Sequence, residues 1–287
     1  MNARVAALVS EHRAAGRPFA AAGVGSFVRE AGDGPAVVLL HGVPASSFLY
    51  RKLLPELAAR GLRGIAFDLP GLGLADRPGV FDYSWSGLAR WTGAAIEALE
   101  VGRCHLVVHD IGGPIGFEWA IRSPGRVASL TALNTLVDVD RFRRPWPMQP
   151  FSIRGVGEAW LAGMRPPASR WIFRHVGLGD RSAMTAAEID AYVALLKRCD
   201  GGRAFLRIMR GFELTKAKRR FLSDGLAGLK VPAQVVWGRD DPALGEARRL
   251  AVQQALGVED PILLPARHFL QEDQAPAIAE AVAGLVR

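Results

Sequence analysis

The sequence predicts an α/β protein: a mostly parallel sheet with helices on both faces and one helical insertion. Three observations carry this. Short apolar runs of β-forming residues alternate with longer amphipathic stretches over most of the 287 residues, the pattern of parallel strands joined by crossover helices. Polar residues with chemical potential stand just after those runs, where the carboxyl ends of such strands build sites. From Val137 to Leu222 the alternation stops, and nothing there reads as a strand.

The elements follow in order. Residues 1–16 suit a short surface helix. Phe19 to Glu30 forms two strands around Gly23 and Gly25, and 31–35 (Ala-Gly-Asp-Gly-Pro) is turn chemistry. Ala36 to Leu40 is continuously apolar, as in a strand buried on both faces. Ser46 or Ser47 caps a helix running through Arg60, with Leu49, Leu53, Leu54 and Leu57 on one face. Gly64 to Phe67 is the next strand, followed by a Gly/Pro-rich loop at 68–78 and a helix from Ser84 to Leu99. A strand ends at Val108, and another runs from Val127 to Leu133. After the insertion come a strand at 233–237, a helix at 244–256, a strand at 261–264 and a last helix at 275–286. That makes eight strands. The division expected is a core of 1–136 and 223–287 and a helical cap of 137–222.

Composition narrows the function. The chain is 49% hydrophobic and 22% charged, which is globular. No apolar run reaches the roughly 18 residues of a membrane helix. The first 16 residues carry Arg4, Glu11 and Arg13 and lack the apolar core of a secretory signal. With Cys104 and Cys199 as the only cysteines, the expected location is the reduced cytoplasm. Residues 137–222 hold 17 Lys and Arg against 8 Asp and Glu, whereas the remainder holds 19 against 20. The basic excess therefore belongs to the insertion. Its arginines are scattered among Trp, Pro and Phe without a nucleic-acid module, so a solvated basic face is expected and no nucleic-acid or membrane partner. No His/Asp/Glu cluster has metal-ligand spacing. A small-molecule substrate, no metal and no cofactor are expected, in a monomer or homodimer.

The centre of the sequence is Leu106-Val107-Val108-His109-Asp110-Ile111-Gly112-Gly113. A strand, one polar residue at a tight turn and a Gly-opened helix is how a nucleophile elbow reads. The tip is Asp110. A carboxylate there suits displacement at a saturated carbon, giving an alkyl-enzyme ester. The acid candidate is Asp241 in Trp237-Gly238-Arg239-Asp240-Asp241, with Asp240 the less favoured choice. The base candidate is His268, after the last strand. His268 would activate the water that cleaves the ester, and Asp241 would orient the imidazole. The backbone N–H groups of Val43 and Ile111 are the expected oxyanion donors. Each residue has an ordinary structural alternative: helix cap for Asp110, turn residue for Asp241, packed histidine for His268. Three such residues in triad order at three strand ends favour catalysis. His41 is expected to brace the oxyanion loop and His105 to be packed.

His41-Gly42-Val43-Pro44, the run from Phe67 to Gly73, His109 to Pro114, Trp237 to Pro242 and His268 to Asp273 together resemble the haloalkane dehalogenases and the related epoxide hydrolases of the α/β-hydrolase superfamily. The resemblance spans nearly the whole chain from about residue 18. It implies the α/β-hydrolase fold, with a helical cap inserted after the sixth strand, and no cofactor. Dehalogenases place a Trp directly after the nucleophile and many place an Asn after the His-Gly pair; here Ile111 and Val43 occupy those positions. The resemblance then leaves Trp146, Trp160 and Trp171 as possible halide contacts. Epoxide hydrolases use cap tyrosines, and Tyr192 is the one tyrosine in the insertion. The expectation is a dehalogenase-like hydrolase acting on a small apolar substrate. The alternatives are epoxide, ester or lactone hydrolysis, and ligand binding without turnover.

Overall fold

A computed structural model describes residues 2–286. Eight strands form one sheet: β1 (Arg17–Ala21), β2 (Val24–Ala31), β3 (Ala36–Leu40), β4 (Arg63–Phe67), β5 (Cys104–Asp110), β6 (Val127–Thr135), β7 (Ala233–Gly238) and β8 (Ile262–Leu264). Their spatial order is β1-β2-β4-β3-β5-β6-β7-β8. The β1–β2 and β2–β4 pairs are antiparallel, and every pair from β4 to β8 is parallel.

Period-two alternation explains why the central strands are apolar throughout. Val38 and Leu40 of β3, with Leu106 and Val108 of β5, face one core, which holds Trp85, Trp91, Ile115 and Phe117. Val37 and Leu39, with Val107 and Leu133, face the other, which holds Leu53, Leu57, Ile278 and Val282. A strand covered on both sides has no polar face to spare. The helices α1 (Ala3–Ala14), α2 (Leu53–Ala58), α3 (Trp85–Ala98) and α4 (Gly112–Arg122) precede the insertion.

One helix departs from expectation. The segment from Ser46 to Arg60 is a 3₁₀ turn at Ser47–Tyr50 followed by the short α2. Pro55 lacks the N–H that would bond the Arg51 carbonyl in a continuous helix. The first turn is also pinned from outside, since the buried Asp68 carboxylate accepts the Ser47 N–H at 2.6 Å and the Leu74 N–H at 2.6 Å.

Between β6 and β7 the described residues form only helices and turns: α5 (Val156–Gly163), α6 (Pro166–Ile172), α7 (Ala186–Lys197), α8 (Arg203–Arg210) and α9 (Lys216–Gly228). The division expected at residue 222 falls inside α9. α9 packs against α4, with Gly225 lying on the Ile121 side chain, so α9 sits with the sheet layer. The chain closes with α10 (Glu246–Leu256), α11 (Leu270–Asp273) and α12 (Ala275–Val286).

Two polar clusters hold α7 to the rest of the molecule. Just beyond α7, Arg198 donates to the Gly73, Leu74 and Ala75 carbonyls at 3.0, 2.9 and 2.7 Å, while Arg77 donates to the Leu195 carbonyl at 2.8 Å. At the other end, Arg51 pairs with Glu188 at 2.6 Å and also with Glu272, whose side chain is fully buried. The Tyr192 hydroxyl donates to Glu272 at 2.6 Å.

Candidate active site

Asp110 ends β5, and the single residue Ile111 separates it from Gly112, which opens α4. Its φ is +53°, in the left-handed region. Asp tolerates that region better than most non-glycine residues, at a cost of order 1–3 kcal/mol. The neighbouring glycines make the sharp turn fit. A Cβ at Gly112 would strike the Leu40 and His41 carbonyls, one at Gly113 would strike the Thr135 hydroxyl, and one at Gly42 would land on the Asp110 carboxylate. From the other side, the Thr135 hydroxyl donates to the Asp110 carbonyl at 2.6 Å.

Three strand ends converge here. His268 Nδ1 lies 2.9 Å from Asp241 Oδ2, and His268 Nε2 lies 3.7 Å from Asp110 Oδ2. The carboxylate can only accept, so the Nδ1 proton faces Asp241 and Nε2 is left toward Asp110. Asp241 rather than Asp240 meets the imidazole; Asp240 points outward, with its side chain 59% exposed beside Arg239. Asp241 is saturated with donors: Asn134 Nδ2 at 2.6 Å on Oδ2, and the Ala243 and Leu244 N–H groups at 2.7 and 3.1 Å on Oδ1. Val43 N–H donates to Asp110 Oδ1 at 2.8 Å.

The electrostatics follow from these contacts. Burial works against a charge on Asp241, but the His268 charge and the hydrogen bonds from His268 and Asn134 outweigh it and hold the carboxyl below its usual range. Burial also disfavours protonated His268; the facing Asp241, helped by Asp110, overcomes it and raises the imidazole. For Asp110 burial dominates and the carboxyl is raised, although His268 and the Ile111 and Val43 N–H groups oppose the shift.

Sequence reasoning left several supporting residues without a role. His109 Nε2 lies 2.8 Å from the His268 carbonyl, so that nitrogen carries the proton and ties the base's backbone to β5. Burial pushes His109 down to about 3. Asn134 joins β6 to the acid loop, since its Oδ1 also accepts the Gly238 N–H at 2.7 Å. Its place at a strand end was the available signal. His41 behaves as expected for a brace: Leu69 N–H donates to Nε2 at 3.1 Å, and Nδ1 donates to the Gly42 carbonyl at 2.9 Å. His105 is bonded to Ser129 at 2.8 Å.

A cavity of about 120 Å³ opens above Asp110 and His268. Its walls come from the β6–β7 helices and are almost wholly apolar, with Phe142, Met148, Phe205 and Met209 among them. None of the three tryptophans considered as halide contacts lines it. Trp146 is 59% exposed, Trp160 spends its indole N–H on the Pro147 carbonyl at 3.2 Å, and the exposed Trp171 stacks on His175. The Tyr192 ring does line the cavity, but its hydroxyl is committed to Glu272. Among the described residues no group of His, Cys, Asp and Glu could hold a metal ion, and no helix is long and apolar enough to cross a membrane.

Comparison with known proteins bears on this arrangement. A family model described as alpha/beta hydrolase fold matches residues 35–166. A haloalkane dehalogenase of Mycobacterium marinum is 32% identical over 264 residues, which is 87% of this chain and 84% of that one. Among solved structures, wild-type Cfl2 from Burkholderia cenocepacia superposes with a TM-score of 0.83 at 26% identity, covering 95% of each chain. The epoxide hydrolase CorEH superposes with a TM-score of 0.80, covering 94% of this chain and 97% of that one; at 19% identity it shares the fold alone.

Proposed function

This chain belongs to the α/β-hydrolase family, alongside haloalkane dehalogenases, and from that membership, which makes it a hydrolase, we propose that Asp110 is its nucleophile. An ionised carboxylate needs no base to activate it. It attacks a saturated carbon, the leaving group departs with the bonding pair, and an alkyl ester of Asp110 forms. His268 then takes a proton from water as the water attacks the ester carbonyl; the tetrahedral intermediate collapses, the bond from the Asp110 carbonyl carbon to the alkyl oxygen breaks, and the alcohol leaves with the proton returned by His268. Asp241 holds the imidazole in the required tautomer and stabilises its charged form. The Val43 and Ile111 N–H groups, which already act on the Asp110 carboxylate, stabilise the tetrahedral oxyanion.

The observation that carries this reading is the series Asp110, His268, Asp241, with gaps of 3.7 and 2.9 Å, at the floor of an apolar cavity. The helical chain from Val137 to about Phe212 serves as the cap, with α9 assigned to the core. The substrate is a small, largely apolar haloalkane. Epoxide opening is the less favoured reading, because a phenol is the donor expected for the epoxide oxygen and the Tyr192 hydroxyl is bonded elsewhere.

The test is a single turnover of a bromoalkane in water labelled with heavy oxygen, followed by mass spectrometry of the peptide containing Asp110. Label in the Asp110 carboxylate is expected, and bromide release without label would refute the ester. In His268→Gln the ester should persist as a mass adduct. Diol formation from epoxides without halide release would favour the other reading.

A further inference from the structure

An Asp nucleophile expels an anion, and the side chains first considered for receiving it do not fit. Val43 and Ile111 have no polar side-chain atoms. The tryptophans point away from the cavity, and Tyr192 is spent on Glu272. Ser169, the other hydroxyl on the wall, turns its single proton back onto its own helix, toward the Arg165 and Pro166 carbonyls.

Arg144 remains. It lines the same cavity as Asp110 and His268. One Nη2 proton goes to the Met209 carbonyl at 2.7 Å, and the guanidinium lies over the Phe212 ring at 4.7 Å. Its Nε is buried without a hydrogen-bond partner, and among the described residues the side chain makes no ion pair. A guanidinium carries five N–H donors and stays charged. Placing one in an apolar wall without a carboxylate is costly unless an anion joins it.

We propose that Arg144 receives the departing halide. This deepens the reading above and rests on it. As the Asp110 oxygen bonds to carbon, the carbon–halogen bond breaks and the halide takes the electron pair. It is held by N–H donors of Arg144, with no proton transferred. Arg144 acts in ester formation and has no part in ester hydrolysis.

The probe is sodium bromide, whose binding is read without turnover by bromide NMR line broadening and by anomalous scattering from soaked crystals. Unmodified protein should broaden the line, with bromide beside Arg144. Arg144→Met should weaken bromide binding by about tenfold or more, the loss expected when one partner of a buried charge pair is removed. Arg144→Lys, which keeps the charge, should retain measurable binding and guards against a merely misfolded variant. In rapid-quench kinetics Arg144→Met should slow ester formation by about 100-fold and leave ester hydrolysis unchanged, whereas a structural defect would slow both. Unaltered bromide binding in Arg144→Met, or equal slowing of both steps, would overturn the proposal. Because bromide binding needs no turnover, failure to label Asp110 would sink the ester mechanism without touching this measurement.

Discussion

At the scale of single residues, the site depends on how Asp241 is held. Its carboxylate is fully buried, and Asn134 supplies the short bond that His268 does not. Asn134→Ala removes a hydrogen bond to a charged group, a change of about 1.5–3 kcal/mol. Ester hydrolysis should therefore slow by roughly tenfold or more in rapid-quench kinetics while ester formation is little changed. The reaction also carries a pH signature. Under the proposed mechanism His268, raised above its ordinary 6.5, acts only when neutral, so ester hydrolysis should rise with pH through a midpoint above 6.5. A midpoint below 6.5 would contradict the Asp241 contact. Asp110, Asp241 and His268 could be picked out as candidates from the sequence because each follows an apolar strand and they stand in triad order, and the fold brings the three side chains together. Arg144 could not. It lies in Arg141-Phe142-Arg143-Arg144-Pro145, where no periodicity says which arginine turns inward; in the fold Arg141 and Arg143 are exposed and Arg144 is half-buried.

At the scale of elements, the turn from β5 into α4 is the most constrained. Gly42 on the loop after β3 lies directly against the Asp110 side chain. Gly42→Ala should cut ester formation by about 100-fold, the scale of losing oxyanion-type positioning, with the far-ultraviolet circular dichroism spectrum unchanged. All eight strands were readable, because continuous apolar runs and Gly/Pro punctuation mark doubly covered strands. The chain between Ser46 and Arg60 was read as one helix because its leucines repeat at helical spacing. Periodicity records which residues are buried, and it is blind to Pro55 and to the distant Asp68 that captures the first turn. The expected boundary at 222 follows charge, because the basic excess of the insertion continues to Arg220, whereas α9 runs unbroken from Lys216 to Gly228 against α4.

At the scale of the whole molecule, buried histidines weaken the native state in acid; burial holds His41 below its ordinary value, and two others lie lower still. His12, packed against Phe27 and Phe48, is pushed by burial down to about 4, and His109 down to about 3. Both protonate in the unfolded chain near 6.5 and resist doing so in the native state. Stability should therefore be lost as pH falls from 6.5 toward 4; the contribution of the raised His268 is already complete at 6.5 and stays constant over that range. His12→Gln should flatten that slope in urea titrations at stepped pH. The contacts that fasten α7 bear on how heat takes the molecule apart. The Arg198 and Arg77 bonds to carbonyls and the Arg51–Glu272–Glu188 cluster tie helical segment and sheet together at both ends of one helix. Removing Arg51 takes the shared cation from Glu188 and leaves buried Glu272 with only Lys52 and the Tyr192 hydroxyl, a loss felt by both layers at once. The protein should melt in a single calorimetric transition whose van't Hoff and calorimetric enthalpies agree. Arg51→Met together with Arg198→Ala should split that peak in two, with the helical layer loosening first while the sheet still holds.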